Sequence, residues 1–275
     1  MSWKFQGIRY HWMDAANASL QFSLGLPNVL AGPVTWHGPN GRPVPIRQLF
    51  ALTGKLRAGA LAWDARELQH HVRGQDLICE YPYSEATPTG IECYWRPAVL
   101  DAGGLTLEWF VSANTRLLDE KIEWSAASEF VAETVEAGCT DESGECTNYS
   151  SVAVGQTEWA SEPTTWESPL KGQTTLVVKL ANEAGWLAMA TAPGDQRRLR
   201  VNVSKNLAGG FSVAVHNELQ MGFLEKGVIR RARLWCLWLP AAGGSNPVPV
   251  GEFEIRKIIQ QQLQSFFCSP QPLTV

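Results

Sequence analysis

The sequence predicts an all-β protein, one large antiparallel β-sandwich with a single amphipathic helix near its C-terminus. Three observations carry this. Short runs that alternate apolar and polar residues recur from about Leu56 to Pro240, each about five to nine residues long, as half-buried strands are. Gly, Pro, Asn and Asp separate the runs at turn positions. The period switches from 2 to 3.6 only once, after the Gly243–Pro247 loop.

Taken in order, residues 1–50 are irregular. Pro27, Pro33, Pro39, Pro43 and Pro45 break helices and most central strands. Short strands are expected around Ile8–Trp12 and Leu20–Leu24, with 45–52 ambiguous. Alternation then takes over: Leu77, Cys79 and Tyr81 against Ile78 and Glu80; Ile91, Cys93 and Trp95 against Glu92, Tyr94 and Arg96; Leu105, Leu107, Trp109 and Val111 against Thr106, Glu108 and Phe110; Ile122 and Trp124 against Lys121 and Glu123. Residues 131–172 are rich in Glu, Ser, Thr and Gly and alternate weakly. They read as a long excursion across the sandwich or as a seam between two halves.

Alternation returns at Leu176–Leu180, Gly185–Thr191, Leu199–Val203 and Phe211–Val215, with hairpin turns at 193–195 and 208–210. The stretch from Met221 to Pro240 organises the whole chain. Val228, Ala232, Leu234, Cys236 and Trp238 share one parity, while Trp235, Leu237 and Leu239 share the other. A strand apolar on both sides is covered on both sides. Beyond it, Phe253, Ile255, Ile258, Ile259, Leu263, Phe266 and Phe267 form one helical stripe at about 252–267. The chain of 275 residues shows no fixed-period repeat, so a single domain over 1–275 is expected, with 131–172 as the one candidate seam.

Composition excludes several function classes. Net charge is −4, which argues against nucleic acid, whose binding needs a concentrated basic surface. The Arg-rich pieces, Arg197, Arg198 and Arg200 with Arg230, Arg231 and Arg233, could meet as one small patch. No apolar run approaches a bilayer span, and the N-terminal MSWKFQGIRYHW has no apolar signal-like core. A cytoplasmic protein away from membranes is the expectation, its six cysteines kept as thiols. Cys139 and Cys146 have the wrong spacing for a zinc knuckle and read as two incidental thiols in a loop. GxSxG, HExxH, P-loop and dinucleotide fingerprints are missing, so neither cofactor nor metal is expected.

The polar strand faces carry the remaining chemistry. Glu92, Tyr94 and Arg96 share a face, with Glu80 and Glu108 on the flanking strands and His216 later. If neighbouring strands stack them, carboxylates, a guanidinium and a phenol suit the hydroxyls of a sugar. Glu92, Tyr94, Arg96, Glu108 and His216 are the expected ligand contacts. Weak catalytic candidates are His70 and His71, which as neighbours on a strand point to opposite faces, and Glu225 as a carboxylate partner.

The run from Leu105 to Asn114, LTLEWFVSAN, resembles the strand of galactose mutarotase-like proteins that ends in Asn, and the stretch GFLEKGVIRRARLWCLWLP, ending at Pro240, is similar in texture to their closing strands. The resemblance implies a twisted β-supersandwich with a sugar-binding concave face. It also implies a catalytic His soon after the Asn-ending strand, but TRLLDEKIEWSAAS at that place contains none, so no catalytic base carries over. The leading expectation is a carbohydrate-binding sandwich. The alternatives are a sugar-processing enzyme of the epimerase type and a Trp-rich protein-interaction module, for which a homo-oligomer is expected.

Overall fold

The computed structural model describes residues 2–6, 9–13, 19–23, 44, 46–56, 59–60, 69–83, 88–100, 104–118, 120–140, 145–153, 164–168, 173–206, 209–241 and 251–269. Three short strands, β1 (Ser2–Gln6), β2 (Arg9–Met13) and β3 (Ser19–Ser23), pair in sequence as a small meander. All other strands join one antiparallel ladder. They are β4 (Ile46–Leu56), β5 (Gly59–Ala60), β6 (Gln69–Arg73), β7 (Asp76–Tyr81), β8 (Thr89–Val99), β9 (Leu105–Thr115), β10 (Glu120–Thr140), β11 (Cys146–Ala153) and β12 (Thr164–Glu167). β13 (Gln173–Leu180), β14 (Trp186–Thr191), β15 (Gln196–Lys205), β16 (Phe211–Leu219), β17 (Phe223–Leu224) and β18 (Arg230–Leu239) complete it, and α1 spans Glu252–Cys268. No helix among the described residues is long and apolar enough to cross a membrane.

The ladder runs β12-β15-β16-β10-β13-β14-β18-β9-β8-β7-β6 and folds over at β10. The first half of this 21-residue strand pairs with β16 and β4, and its second half pairs with β13 and β11. The two wings thereby face each other across one apolar core. Phe50 of β4 stacks on Trp109 of β9 at 5.8 Å, and Trp109 stacks on Trp95 of β8 at 5.2 Å. A register slip between Ala127 and Glu129 marks a bulge opposite β4, where Phe50 takes φ 54° and its N–H donates to Ser128 Oγ. Such bulges re-aim a side chain.

β10 runs straight through the start of the expected seam. Alternation is weak there because small and polar residues, Ala132, Thr134, Ala137 and Gly138, fill it. Cys139 and Cys146 lie on the paired strands β10 and β11, not in a loop. β18 is covered on both sides, as its pattern requires. Ala232, Leu234, Cys236 and Trp238 enter the main core, and Trp235, Leu237 and Leu239 pack under α1.

Ile255, Ile259, Leu263 and Phe266 form the buried stripe of α1, seated on Val177, Ala188, Ala190 and the outer residues of β18. The small side chains on β14 let the helix approach. Phe253 is exposed, 78 %, rather than part of the stripe. It stands about 200° around the helix from Ile255, on the solvent side. Arg256 ties α1 to the sheet through Glu136 of β10 at 2.7 Å.

Candidate functional site

The helix covers only part of the outer sheet face. Beyond β18 the same face continues over β9, β8, β7 and β6 with no helix on it among the described residues, and strand register orders it into rows. Glu80, Glu92 and Ser112 align across β7, β8 and β9, followed by Arg231 of β18. The next row is His71, Ile78, Tyr94, Phe110 and Arg233. The third pairs Arg73 with Asp76 and then runs Arg96, Glu108, Trp235.

The rows interlock. Arg96 donates from Nε and Nη2 to the two oxygens of Asp76 at 2.8 and 2.9 Å, a bidentate pair. That pairing holds the Arg96 guanidinium above its ordinary pKa. Phe110 lies between Arg96 and Arg233, whose guanidinium carbons are 5.6 and 5.8 Å from its ring centre. Arg73 sits 5.9 Å from the Tyr94 ring. Burial first, then a hydrogen bond with Glu92, pushes the Tyr94 hydroxyl up to about 12. Burial also raises the Glu108 carboxyl, against the opposing pull of Arg233 and Arg96.

Arg233 marks the boundary with the helix. Its side chain is buried, Nη1 donates to the Ser269 carbonyl at 2.8 Å, and the guanidinium lies 3.9 Å from the Phe266 ring centre. Nε and Nη2 find no hydrogen-bond partner among the described residues. Burial pulls this guanidinium below its usual pKa, while Glu108 and Asp195 push the other way.

Of the expected contacts, Glu92, Tyr94, Arg96 and Glu108 come together on this one face. Tyr94 is only 7 % exposed, so it presents no ring for stacking. His71 shares the face at its exposed edge, whereas His70 has the opposite parity. Glu225 is exposed after β17, which pairs with the start of β10 and not with the His71 strand. His216 stands in the other wing, in register with Arg200 and Ala127. It is not brought to the other four. The two Arg-rich pieces also divide: Arg198 and Arg200 pair with Glu167 of β12 at 3.8 and 2.9 Å, while Arg231 and Arg233 join the polar face.

Asp76 and Arg73 escaped the sequence reading because they flank a hairpin turn. Gly74 at φ 62° is the signal that could have placed them opposite each other. Among the described residues no three His, Cys, Asp or Glu side chains gather to hold a metal ion.

No protein-family model and no curated protein sequence matches the chain. Solved structures do match in fold. A GalM/aldose epimerase homologue from C. elegans aligns with a TM-score of 0.51 and 10 % identity, over 87 % of this chain and 100 % of that one. The GH36 α-galactosidase AgaB from Geobacillus stearothermophilus aligns with a TM-score of 0.46 and 10 % identity, over 86 % of this chain. An α-galactosidase from Lactobacillus brevis aligns at 0.40 and 8 % identity over 84 % of this chain. The chain spans about two fifths of the length of these galactosidases, 41 % and 38 %. The fold is thus a galactose mutarotase-like β-sandwich.

Proposed function

We propose that this galactose mutarotase-like sandwich is a carbohydrate-binding protein that takes a sugar on the polar outer face of β7, β8, β9 and β18. One observation supports this most: Glu92, Tyr94, Arg96 and Glu108 stand in adjacent registered rows on two neighbouring strands. The half-buried carboxylates and the exposed side of the Arg96 fork offer acceptors and donors at strand spacing, which suits vicinal hydroxyls. Phe110 and Tyr94 form an apolar floor beneath them. The arginines that lie over the rings keep sugar stacking from being the main contact, so recognition is by hydrogen bonding.

The test is a thermal-shift and tryptophan-fluorescence screen against mono- and oligosaccharides, because a ligand that binds only the folded chain raises its melting temperature. A saturable rise is expected, weakened about tenfold by Glu92→Gln or Arg96→Lys, each of which removes one charged hydrogen bond or the fork that makes it. No rise across the panel at millimolar sugar overturns the reading.

A further inference from the structure

At one end of the sandwich, where the two wings are stitched together, a cavity of about 600 Å³ opens. Its walls are the β14–β15 turn with Gly194 and Asp195, the link after β16 with Gln220, Met221 and Gly222, and the start of β18 with Ile229, Arg230 and Arg231. The volume falls within the range of small-molecule sites. Backbone hydrogen bonds pin these walls: Asp195 N–H donates to the Ala192 carbonyl at 3.0 Å and Gln220 N–H to the Asp195 carbonyl at 2.8 Å. Both glycines have positive φ, 80° and 61°, and a Cβ on either would meet nothing within 4 Å, so the cavity stays open there.

Its chemistry is specific. One oxygen of Asp195 accepts the Arg233 N–H at 2.9 Å, which fixes the carboxyl in place. Burial raises that carboxyl to about 6, so it can serve as donor or acceptor near neutrality. Among the described lining residues two guanidinium groups, Arg230 and Arg231, stand beside one carboxyl, and the Gln220 amide adds a neutral donor and acceptor. Arg231 connects the cavity to the polar face, since its charge also acts on the Tyr94 hydroxyl.

We infer that this cavity is a subsite for a sugar acid, with the ligand's carboxylate held by Arg230 and Arg231 and its hydroxyls by Asp195 and Gln220. The inference rests on the carbohydrate reading and narrows it from sugars in general to anionic ones. Arg recognises planar carboxylates through paired donors, and a polyol carrying one supplies hydroxyls for the remaining lining groups.

The experiment is titration calorimetry of the full chain at neutral pH with galacturonate and glucuronate beside galactose, glucose, a sugar phosphate and inorganic phosphate. The uronates are expected to bind about tenfold or more tightly than their neutral parents, the scale of one charge-assisted hydrogen bond. In Arg230→Gln and Arg231→Gln this ratio should collapse towards one. Unliganded melting temperatures confirm that both variants fold. Equal affinity for acid and neutral sugars, or a ratio that survives both substitutions, overturns the cavity assignment and leaves the carbohydrate reading standing. Phosphate or sugar phosphate binding that depends on the two arginines, without uronate binding, also overturns it. Silence towards every sugar ends both.

Discussion

The outer face of one sheet has two halves with opposite character, and β18 belongs to both. Under α1 the face is apolar: Ala188, Ala190, Trp235, Leu237 and Leu239 meet Ile259, Leu263 and Phe266. Beyond Arg233 it is a lattice of Glu80, Glu92, Asp76, Arg96, Glu108 and Arg231 over a floor of Ile78, Tyr94 and Phe110. Both halves hang on the same ladder and share the same inner core, so backbone pairing does not distinguish them. The helix does. Where it lies, burial selects apolar residues, and where it stops, charge is tolerated because water and mutual pairing compensate it. Of the two halves of this face, only the second offers polar groups to a ligand.

The comparison breaks first under Leu263→Ala. Leu263 has no exposed surface, and truncating such a residue costs about 2–5 kcal/mol. Denaturant unfolding should show this loss. Sugar binding on the polar half should persist at temperatures where the variant is still folded, because Leu263 packs in the apolar cluster under α1. A loss of affinity that exceeds the population of unfolded chain would mean that the helix shapes the polar half as well.

Arg233 tests the boundary itself. Arg233 and Glu108 make no direct ion pair among the described residues, but each acts on the other's charge, so Arg233→Met should cost about 1–3 kcal/mol through Glu108 and through the lost hydrogen bond to the Ser269 carbonyl. Replacing both, Arg233→Met with Glu108→Leu, should recover most of that cost, since apolar groups of similar volume often substitute for buried charges without loss. A double-mutant cycle measures the coupling. Additive losses would mean that the two charges do not act on each other.

Much of this was legible in the sequence, for a simple reason. Period-2 alternation reports burial on one face, and β18 reports it on both, so the core strands and the place of Leu234–Leu239 follow from pattern alone. The stripe of α1 follows likewise, apart from Phe253, which its angle sets outside. The parity of Glu92, Tyr94 and Arg96 placed them on one face. Their meeting with Glu108 then needed only β8 and β9 to pair. Other features depend on tertiary register and were not legible. The run of β10 through Ala132 and Gly138 carries no alternation to read. Asp195 belongs to a turn whose residues say nothing of the cavity they enclose, and His216 has the right parity on the wrong wing.

Asp195 gives a smaller effect with a definite sign. Its carboxyl is raised from 3.8 to about 6 by burial, against the Arg233 N–H and charge that lower it. A carboxyl held above its unfolded value binds its proton more tightly in the folded state. Its contribution to stability is therefore present at low pH and lost as pH rises from about 4 through about 6. Asp195→Asn should flatten that part of the stability profile, a difference of about 1–2 kcal/mol once screening is allowed for. Urea midpoints measured across this window check it. A profile unchanged by the substitution would place the titration elsewhere, and Glu108, raised in the same direction, would be next in line.

The smallest expected effect discriminates most between a binder and an enzyme. His71 lies exposed at the rim of the polar half, and Glu225 is exposed beyond β17 in a part of the ladder that does not pair with the His71 strand. Surface substitutions of this kind change stability by about 0.5 kcal/mol or less, so His71→Ala and Glu225→Ala should leave the melting temperature and sugar affinity almost unmoved. A general base loses about 10²- to 10⁴-fold in turnover when it is removed. Mutarotation of whichever sugar binds, followed by polarimetry with wild type and both variants, therefore separates the cases without any stability correction. Equal rates in all three, matching the uncatalysed rate, are what a binding protein gives. A wild-type rate that falls to background in His71→Ala alone would make the polar half an active site with its base at the edge strand, and Glu92 or Glu108, the carboxylates on its own face, would replace Glu225 as the partner to test.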